Sequence, residues 1–494
     1  MTHAAPPDTA PPRGGTLDAP NKLGLLGVIM PGLAQIAPAF NLFFTTSVIA
    51  SLAGASVPLV FLISTVGFLA TGLSLAQFSS VYPSAGSFVT YISRTFGPAA
   101  GTATGVITVV GYMITFAGIY IFVGDYIVTN VFLVTGTHVG LTIITTIVYG
   151  AIVTIPVVLG LQFGVRVTIV LYLIELVVLL VISFSVLFQG GSVGLTSAPF
   201  SWPTGAGATN IFLAFSLAVV AFGGFEASAP LAEETSNPRR NVPIALVGSV
   251  LISGLVYVLG SWAVVSAFGN DGAKLAKDGN PFATAASGFL HIALPVMVPI
   301  LAAVFLISVT SSYIAANTQT SRVIFAGARG GLWPRGLRAI QPRFKTPWAA
   351  ATAFVVPSIL VGVLSTIVTD PGTTVGFLST FGIFGVVIMY TVTNIALFVQ
   401  WFRFRVRGIR KNPVLWLVVP VIGVAVLAIP IWGNLRPGQG GAFDWLPLCS
   451  IGLVVLGIVY TVVLAIVRPA ALTNAPALLE GAESLETDPV PPVS

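Results

Sequence analysis

Ala221-Phe222-Gly223-Gly224-Phe225-Glu226 is the stretch on which the fold turns. It lies inside an apolar run from Asn210 to Pro230, close to the ~20 residues that a helix needs to cross ~30 Å of hydrocarbon. A glycine pair in such a run marks either close helix packing or a break in the backbone. A break frees amides and carbonyls, which lipid does not tolerate unless they line a cavity or meet a ligand. A glutamate directly beside the pair therefore has two readings: part of a substrate site, or support for the broken backbone.

Working outward, the run is one of twelve. The others are Leu25 to Ile49, Val57 to Phe78, Ala99 to Tyr126, Leu141 to Leu161, Val167 to Leu187, Val242 to Phe268, Leu294 to Ala316, Pro347 to Val368, Val375 to Trp401, Val414 to Trp432 and Trp445 to Ile466. The whole chain of 494 residues is 55% hydrophobic and 7% charged, whereas a soluble domain carries about a quarter charged residues. Its solvent is lipid, so the lipid bilayer is its first partner. Residues 1–21 and 469–494, rich in Pro and polar groups, are expected to be disordered tails. No signal peptide is expected before the first run, since residues 1–21 carry no apolar core.

The first run carries an irregularity of its own, Pro31-Gly32 followed by Ile36-Ala37-Pro38-Ala39-Phe40. Pro38 removes an internal hydrogen bond and disfavours helical geometry in the residue before it. Interrupted spans in corresponding positions of two halves point to a midplane binding site between inverted repeats. Spans 1 and 6 are five apart, and an odd interval starts the second unit from the opposite side of the membrane. The expected units are residues 22–187 (helices 1–5), residues 188–411 (helices 6–10) and residues 412–468 (helices 11–12).

With the N-terminus inside, only Lys274, Lys277 and Arg436 of the 21 Lys and Arg fall outside. The positive-inside rule thus places both termini in the cytoplasm. The basic charge is a topology signal rather than a nucleic-acid surface. Trp348, Trp401, Trp432 and Trp445 fall at span ends, where indole suits the headgroup boundary.

Of the fifteen Asp and Glu, only Asp125, Glu175 and Glu226 fall within spans; Glu233 and Glu234 are read as loop residues. Asp125, in the last turn of span 3, reads as solvated or capping. Glu175 lies among Leu173, Ile174, Leu176 and Val177 in span 5. An ionisable group at that depth is costly and marks ion coupling or, alternatively, a neutral packing hydrogen bond. Cys449 is the only cysteine, and His3, His138 and His291 form no metal-ligand spacing. A membrane enzyme would need a nucleophile with its base, a metal cluster or a cofactor motif, and a channel would need a filter or charged rings. Neither pattern is present, so no catalytic residue, metal or organic cofactor is expected.

Three ordered motifs carry a family resemblance. Phe222-Gly223-Gly224-Phe225-Glu226 with Leu231-Ala232-Glu233-Glu234-Thr235-Ser236-Asn237-Pro238-Arg239-Arg240-Asn241-Val242-Pro243 resembles the helix 6 to 7 signature of the amino acid/polyamine/organocation superfamily permeases. Tyr82 to Tyr91 looks like that family's loop between helices 2 and 3, and Ser321-Arg322 through Thr346-Pro347 is similar to its segment after helix 8. The resemblance implies an all-α integral membrane protein of about 12 transmembrane helices: a five-plus-five inverted-repeat core with broken helices 1 and 6, plus two peripheral helices.

It also implies a secondary active transporter working by alternating access, with a small-molecule substrate. The substrate would meet Gln35, Ile36, Ala37, Pro38 and Ala39 on helix 1, and Phe222, Gly223, Gly224 and Phe225 on helix 6, with Phe222 or Phe225 as an aromatic lid; Glu226 joins them as a site candidate. Some proton-coupled relatives carry a lysine in the middle of helix 5 where Glu175 stands here, so the coupling ion is open between H+ and Na+. Ser308, Ser311 and Ser312, together with Thr310, Asn317 and Gln319, could ligate an ion or bond their own helix. Pro38 offers one amide fewer to a substrate carboxylate than the Gly-rich stretch of many relatives. The expected function is proton-coupled uptake of an amino acid in a bacterial-type plasma (inner) membrane. The alternatives are an amine or polyamine permease, an exchanging antiporter, or a solute sensor on the same scaffold.

Overall fold

The computed structural model describes residues 22–136, 138–366 and 369–472. All regular structure among them is helical, apart from one isolated bridge between Leu23 and Thr235. The expected tail at residues 1–21 lies outside the described residues. Of the other expected tail, residues 469–472 are helical, and Ala471 and Leu472 pack against the core; that part is a correction, driven by two apolar side chains with a surface to cover.

Span 1 comprises α1 (Leu25–Ile36) and α2 (Pro38–Ala53). Between them Ala37 adopts φ 50° and ψ 67°, a left-handed conformation uncommon for a residue with a side chain. Pro38 then opens α2, where its missing N–H would have had no helical partner. Spans 2 to 5 are α3 (Val57–Val81), α5 (Pro98–Asn130), α6 (Val139–Val158) and α7 (Leu161–Phe188), with α4 (Phe88–Phe96) inserted before α5. The stretch read as a loop between spans 2 and 3 is thus partly helical. Span 6 is α8 (Ala206–Val220), four irregular residues, then a tight 3-10 helix from Phe225 to Glu234. Gly224, at φ 105°, makes the turn that no other residue makes cheaply.

Span 7 is α9 (Pro238–Ala267); α10 (Gly272–Lys277) and α11 (Pro281–Leu290) follow at the arginine-poor face. Spans 8 to 10 are α12 (Leu294–Arg329), α13 (Trp348–Ser365) and α14 (Pro371–Val406). Asp370 caps α14 by accepting from the Thr373 amide, and hydrogen bonds from Thr373 hold its carboxyl below the usual value. α15 (Val419–Leu435) and α16 (Leu446–Val467) complete twelve spans.

The packing repeats itself. Span 3 lies along spans 10, 9 and 4, and span 8 lies along spans 5, 4 and 9; exchanging the first five spans for the second five maps one set onto the other. Spans 2 and 7, which map onto each other, pack together. α15 and α16 stand outside, against α3, α5 and α14. At the crossing of α5 and α14 the backbones meet directly, since a side chain on Gly382 would land on the Gly111 carbonyl oxygen and the Thr115 amide. Outward faces such as Val66, Val170, Val177 and Leu255 are more than half exposed, an apolar surface for lipid to cover. The protein is a multi-pass integral membrane protein.

Candidate functional site

The two broken spans meet at the floor of a cavity of about 500 Å³. Gln35, Ile36 and Ala37 line it from span 1, and Val220 and Gly223 from span 6. It runs past Phe40, Phe116 and Ile383 toward Arg436 and Phe443, between spans 11 and 12. Below the breaks the 3-10 helix is buried almost throughout, so the cavity is closed at the arginine-rich face and open at the other.

Two side chains hold the breaks together. Asn41 Nδ2 donates to the Ile36 carbonyl at 2.5 Å and the Ala221 carbonyl at 3.4 Å. The Tyr257 hydroxyl reaches the same two oxygens, at 3.4 Å and 2.7 Å. The carbonyls freed by both interruptions are therefore satisfied by a shared pair of donors, as a low-dielectric site demands. Gln35 contrasts with them: 5% exposed, it lines the cavity with both amide atoms lacking a protein partner.

Glu226 is fully buried and does not line the cavity. Its Oε1 accepts from Gln319 Nε2 at 3.0 Å and from the Tyr112 hydroxyl, and its Oε2 accepts from the Tyr390 hydroxyl at 2.5 Å. Tyr390 in turn accepts the Gly224 amide at 3.2 Å, so spans 3, 8 and 10 all close on the break in span 6. Of these only Tyr112 reaches the cavity, which puts Glu226 one hydrogen bond behind its wall. Phe222 and Phe225 also turn away from it, stacking with Phe68, Tyr257 and Tyr390; Pro38, Ala39 and Gly224 are likewise absent from the lining. The rings that do face the cavity are Phe40, Phe44, Phe116, Phe122, Tyr112 and Phe443.

Glu175 is fully buried on α7, with Met30, Leu33, Ala34 and Tyr172 forming the apolar cluster around its level, and neither carboxylate oxygen has a hydrogen-bond partner. Ser308 is within its interaction range. The Ser308 hydroxyl accepts the Phe40 amide at 3.3 Å, in the first turn of α2. Ser312 donates to the Gln35 carbonyl at 2.9 Å, while Ser311 bonds the Ser308 carbonyl of its own helix at 2.8 Å. Asn317 is buried with both amide atoms unpartnered. Glu175 and Ser308 thus gather behind the break in span 1, Ser312 beside the break also lines the cavity, and Ser311 serves its helix. Asp125 accepts from Thr142 and meets His138 at 3.0 Å, tying span 3 to span 4.

Glu233 and Glu234 correct the loop reading. Glu234 is 3% exposed and pairs with Arg322, itself 1% exposed, through Nε to Oε2 at 2.6 Å and Nη2 to Oε1 at 3.2 Å. Glu233 pairs with Arg329 at 2.6 Å. Here α12 runs on to Arg329, well past the expected end of span 8, because these acids give its arginines partners. Beside them the Leu23 amide donates to the Glu234 carbonyl and the Ser236 amide to the Leu23 carbonyl, both at 2.9 Å, which fastens the start of span 1 to the end of span 6.

Twelve spans, two of them broken opposite each other over a cavity open at one face, define a transmembrane solute transporter. Residues 27–433 match the family model described as amino acid permease, and the chain belongs to that family. It is 23% identical to a low-affinity putrescine importer, PlaP, of Escherichia coli over 93% of this chain and 97% of the relative. It is 25% identical to a branched-chain amino acid permease, BcaP, of Bacillus subtilis over 69% and 74%. A cationic amino acid transporter of Arabidopsis thaliana matches at 27% over 52% of this chain and 43% of the relative. The substrate is a small molecule, an amino acid or amine, and the protein is a transporter rather than an enzyme.

Proposed function

We propose that this permease carries a neutral amino acid with an apolar side chain into the cell, with both termini cytoplasmic in a bacterial-type plasma membrane and with protons as the coupling ion. One observation carries the substrate class. The cavity lining holds no carboxylate among the described residues, and Phe, Leu, Ile and Val supply thirteen of its 29 residues. A dication such as putrescine, or a cationic side chain, would lose its hydration there without a compensating charge. Glu226, the acid beside the break in span 6, is already saturated by Tyr112, Tyr390 and Gln319.

Proton coupling is supported by Glu175. Its carboxyl group is buried without a hydrogen-bond partner, and Ser308, which gathers with it behind the break, accepts the Phe40 amide where span 1 resumes its helix. The cytoplasmic placement of the termini follows from the crowding of Arg and Lys at one face.

Uptake into proteoliposomes tests the reading, with labelled leucine, phenylalanine, lysine and putrescine under an inward proton gradient, an inward sodium gradient, or neither. Concentrative uptake of leucine or phenylalanine driven by the proton gradient is the expected result. Accumulation of putrescine or lysine alone would overturn the substrate class, and sodium dependence would overturn the coupling ion.

A further inference from the structure

The cavity has two ends, and the outer one has its own chemistry. Arg436 lies immediately after α15 and lines the cavity at its mouth. A cation at a helix C-terminus is favoured by the helix dipole, yet dipole complementarity alone leaves the guanidinium without an acceptor. It makes no hydrogen bond or ion pair with any described residue, and its Nε is buried. A guanidinium Nε removed from water without an acceptor is costly, and Arg436, half-buried as a residue, has no such burial at its two Nη atoms.

Two further groups on the same wall are unpaired in the complementary sense. Asn434, 4% exposed, spends Nδ2 on the Pro430 carbonyl at 3.2 Å and leaves Oδ1 without a donor. The Ser379 hydroxyl, also buried, has no partner. Both line the cavity. The segment bearing them is held in place, since Gln439 Nε2 donates to the Arg436 carbonyl at 2.9 Å and to the Asn434 carbonyl at 3.3 Å.

The position is distinct from the floor. Along α14, Gly376 faces Phe443 at the mouth and Ile383 faces Gly223 at the break in span 6. Seven helical residues separate them, roughly 10 Å of rise. Arg436 is also the sole formal charge among the described lining residues.

We propose that the cavity mouth is a separate capture station for zwitterionic amino acids, in which Arg436 takes the substrate carboxylate and Asn434 Oδ1 with Ser379 Oγ takes the ammonium before the substrate moves to the broken spans. This rests on the amino acid reading above and adds where the carboxylate is first recognised. A guanidinium matches a carboxylate with paired, charge-assisted hydrogen bonds. Its positive charge, uncompensated by any carboxylate of the described lining, raises the local concentration of carboxylates and repels free amines. The station therefore acts on capture and selectivity, while the translocation step runs at the floor.

The test is initial-rate uptake of labelled leucine by wild type, Arg436→Gln and Arg436→Lys, with isoamylamine, which is leucine without its carboxylate, as a competing inhibitor. Arg436→Gln is expected to raise KM about tenfold, the scale of one solvated charge-assisted pair, with Vmax unchanged. Inhibition by isoamylamine should be as strong as in wild type or stronger, and Arg436→Lys should restore most of the KM. An unchanged KM, a fall in Vmax alone, or equal weakening of leucine and isoamylamine would overturn the station. Thermal unfolding of each purified variant separates these results from misfolding, and Arg436→Met, with the same rise in KM of about tenfold expected, carries the test if Arg436→Gln does not fold. Wild-type uptake confined to amines would remove the substrate reading itself; wild-type leucine uptake with an unmoved KM in Arg436→Gln removes only the station.

Discussion

Glu234→Gln tests how the arginine-rich face is kept shut. The substitution preserves the shape of the side chain and removes its charge, leaving the Arg322 guanidinium 1% exposed with no anion. Breaking one partner of a buried pair costs about 3 kcal/mol, most of it the desolvation of the remaining charge. Arg322 retains its bond from Nη1 to the Thr318 carbonyl at 2.9 Å and a neutral amide oxygen at position 234, which hold the side chain in the unfavourable place. A conformation open at this face would let water reach the guanidinium and would escape most of the penalty. The equilibrium should therefore move toward that conformation by about a hundredfold. The assay is the maleimide labelling rate of a cysteine at Thr320, buried two residues before Arg322, in a Cys449→Ser background. Labelling should quicken by one to two orders of magnitude, about the factor just derived, while KM for substrate offered at the open cavity rises. The exchanged pair, Glu234→Arg with Arg322→Glu, should recover part of the loss. A folded Glu234→Gln protein with wild-type labelling and KM would refute the argument.

Two further outcomes are expected. Glu175→Gln should abolish concentrative uptake under a proton gradient and leave counterflow exchange of labelled substrate largely intact; retained accumulation in proteoliposomes would remove Glu175 as the proton carrier. Gly382→Ala should lower thermal stability by about 3 kcal/mol or more, because the added methyl meets backbone rather than a movable side chain at the α5 to α14 crossing, and a fluorescence-detected melting curve matching wild type would show that the helices can part.

Much of the architecture was legible because lipid imposes a single rule on every span: about twenty apolar residues and an internally satisfied backbone. Pro38 and Gly224 violate that rule in the open, so both interruptions could be read from residue type, and the structure bends at Ala37 and Gly224. What was hidden is side-chain direction. Glu226 stands beside a break, but the sequence does not say that Tyr112 and Tyr390, more than a hundred residues away on either side, would enclose it. A buried tyrosine hydroxyl needs a partner, and the tyrosines in mid-span were the available signal. Phe222 and Phe225 have the character of a lid, yet in this conformation Phe68 and Tyr390 claim their rings. Glu233 and Glu234 looked like loop acids since hydropathy counts a charge as an exit from the membrane, and an ion pair cancels that count. α4 was missed for a related reason: it is short and amphipathic, with a buried face but no need to span.

The clasp formed by Asn41 and Tyr257 has a mechanical consequence. Each side chain bridges the carbonyl of Ile36 in span 1 and that of Ala221 in span 6. Neither half-helix can swing alone without stranding a carbonyl, so the two are geared: displacement of one is transmitted to the other through two side-chain bridges that must stretch together. A solute that tugs on the Gln35 to Ala37 strip would thereby turn span 6 as well, making the carrier's stroke a single motion shared by two helices.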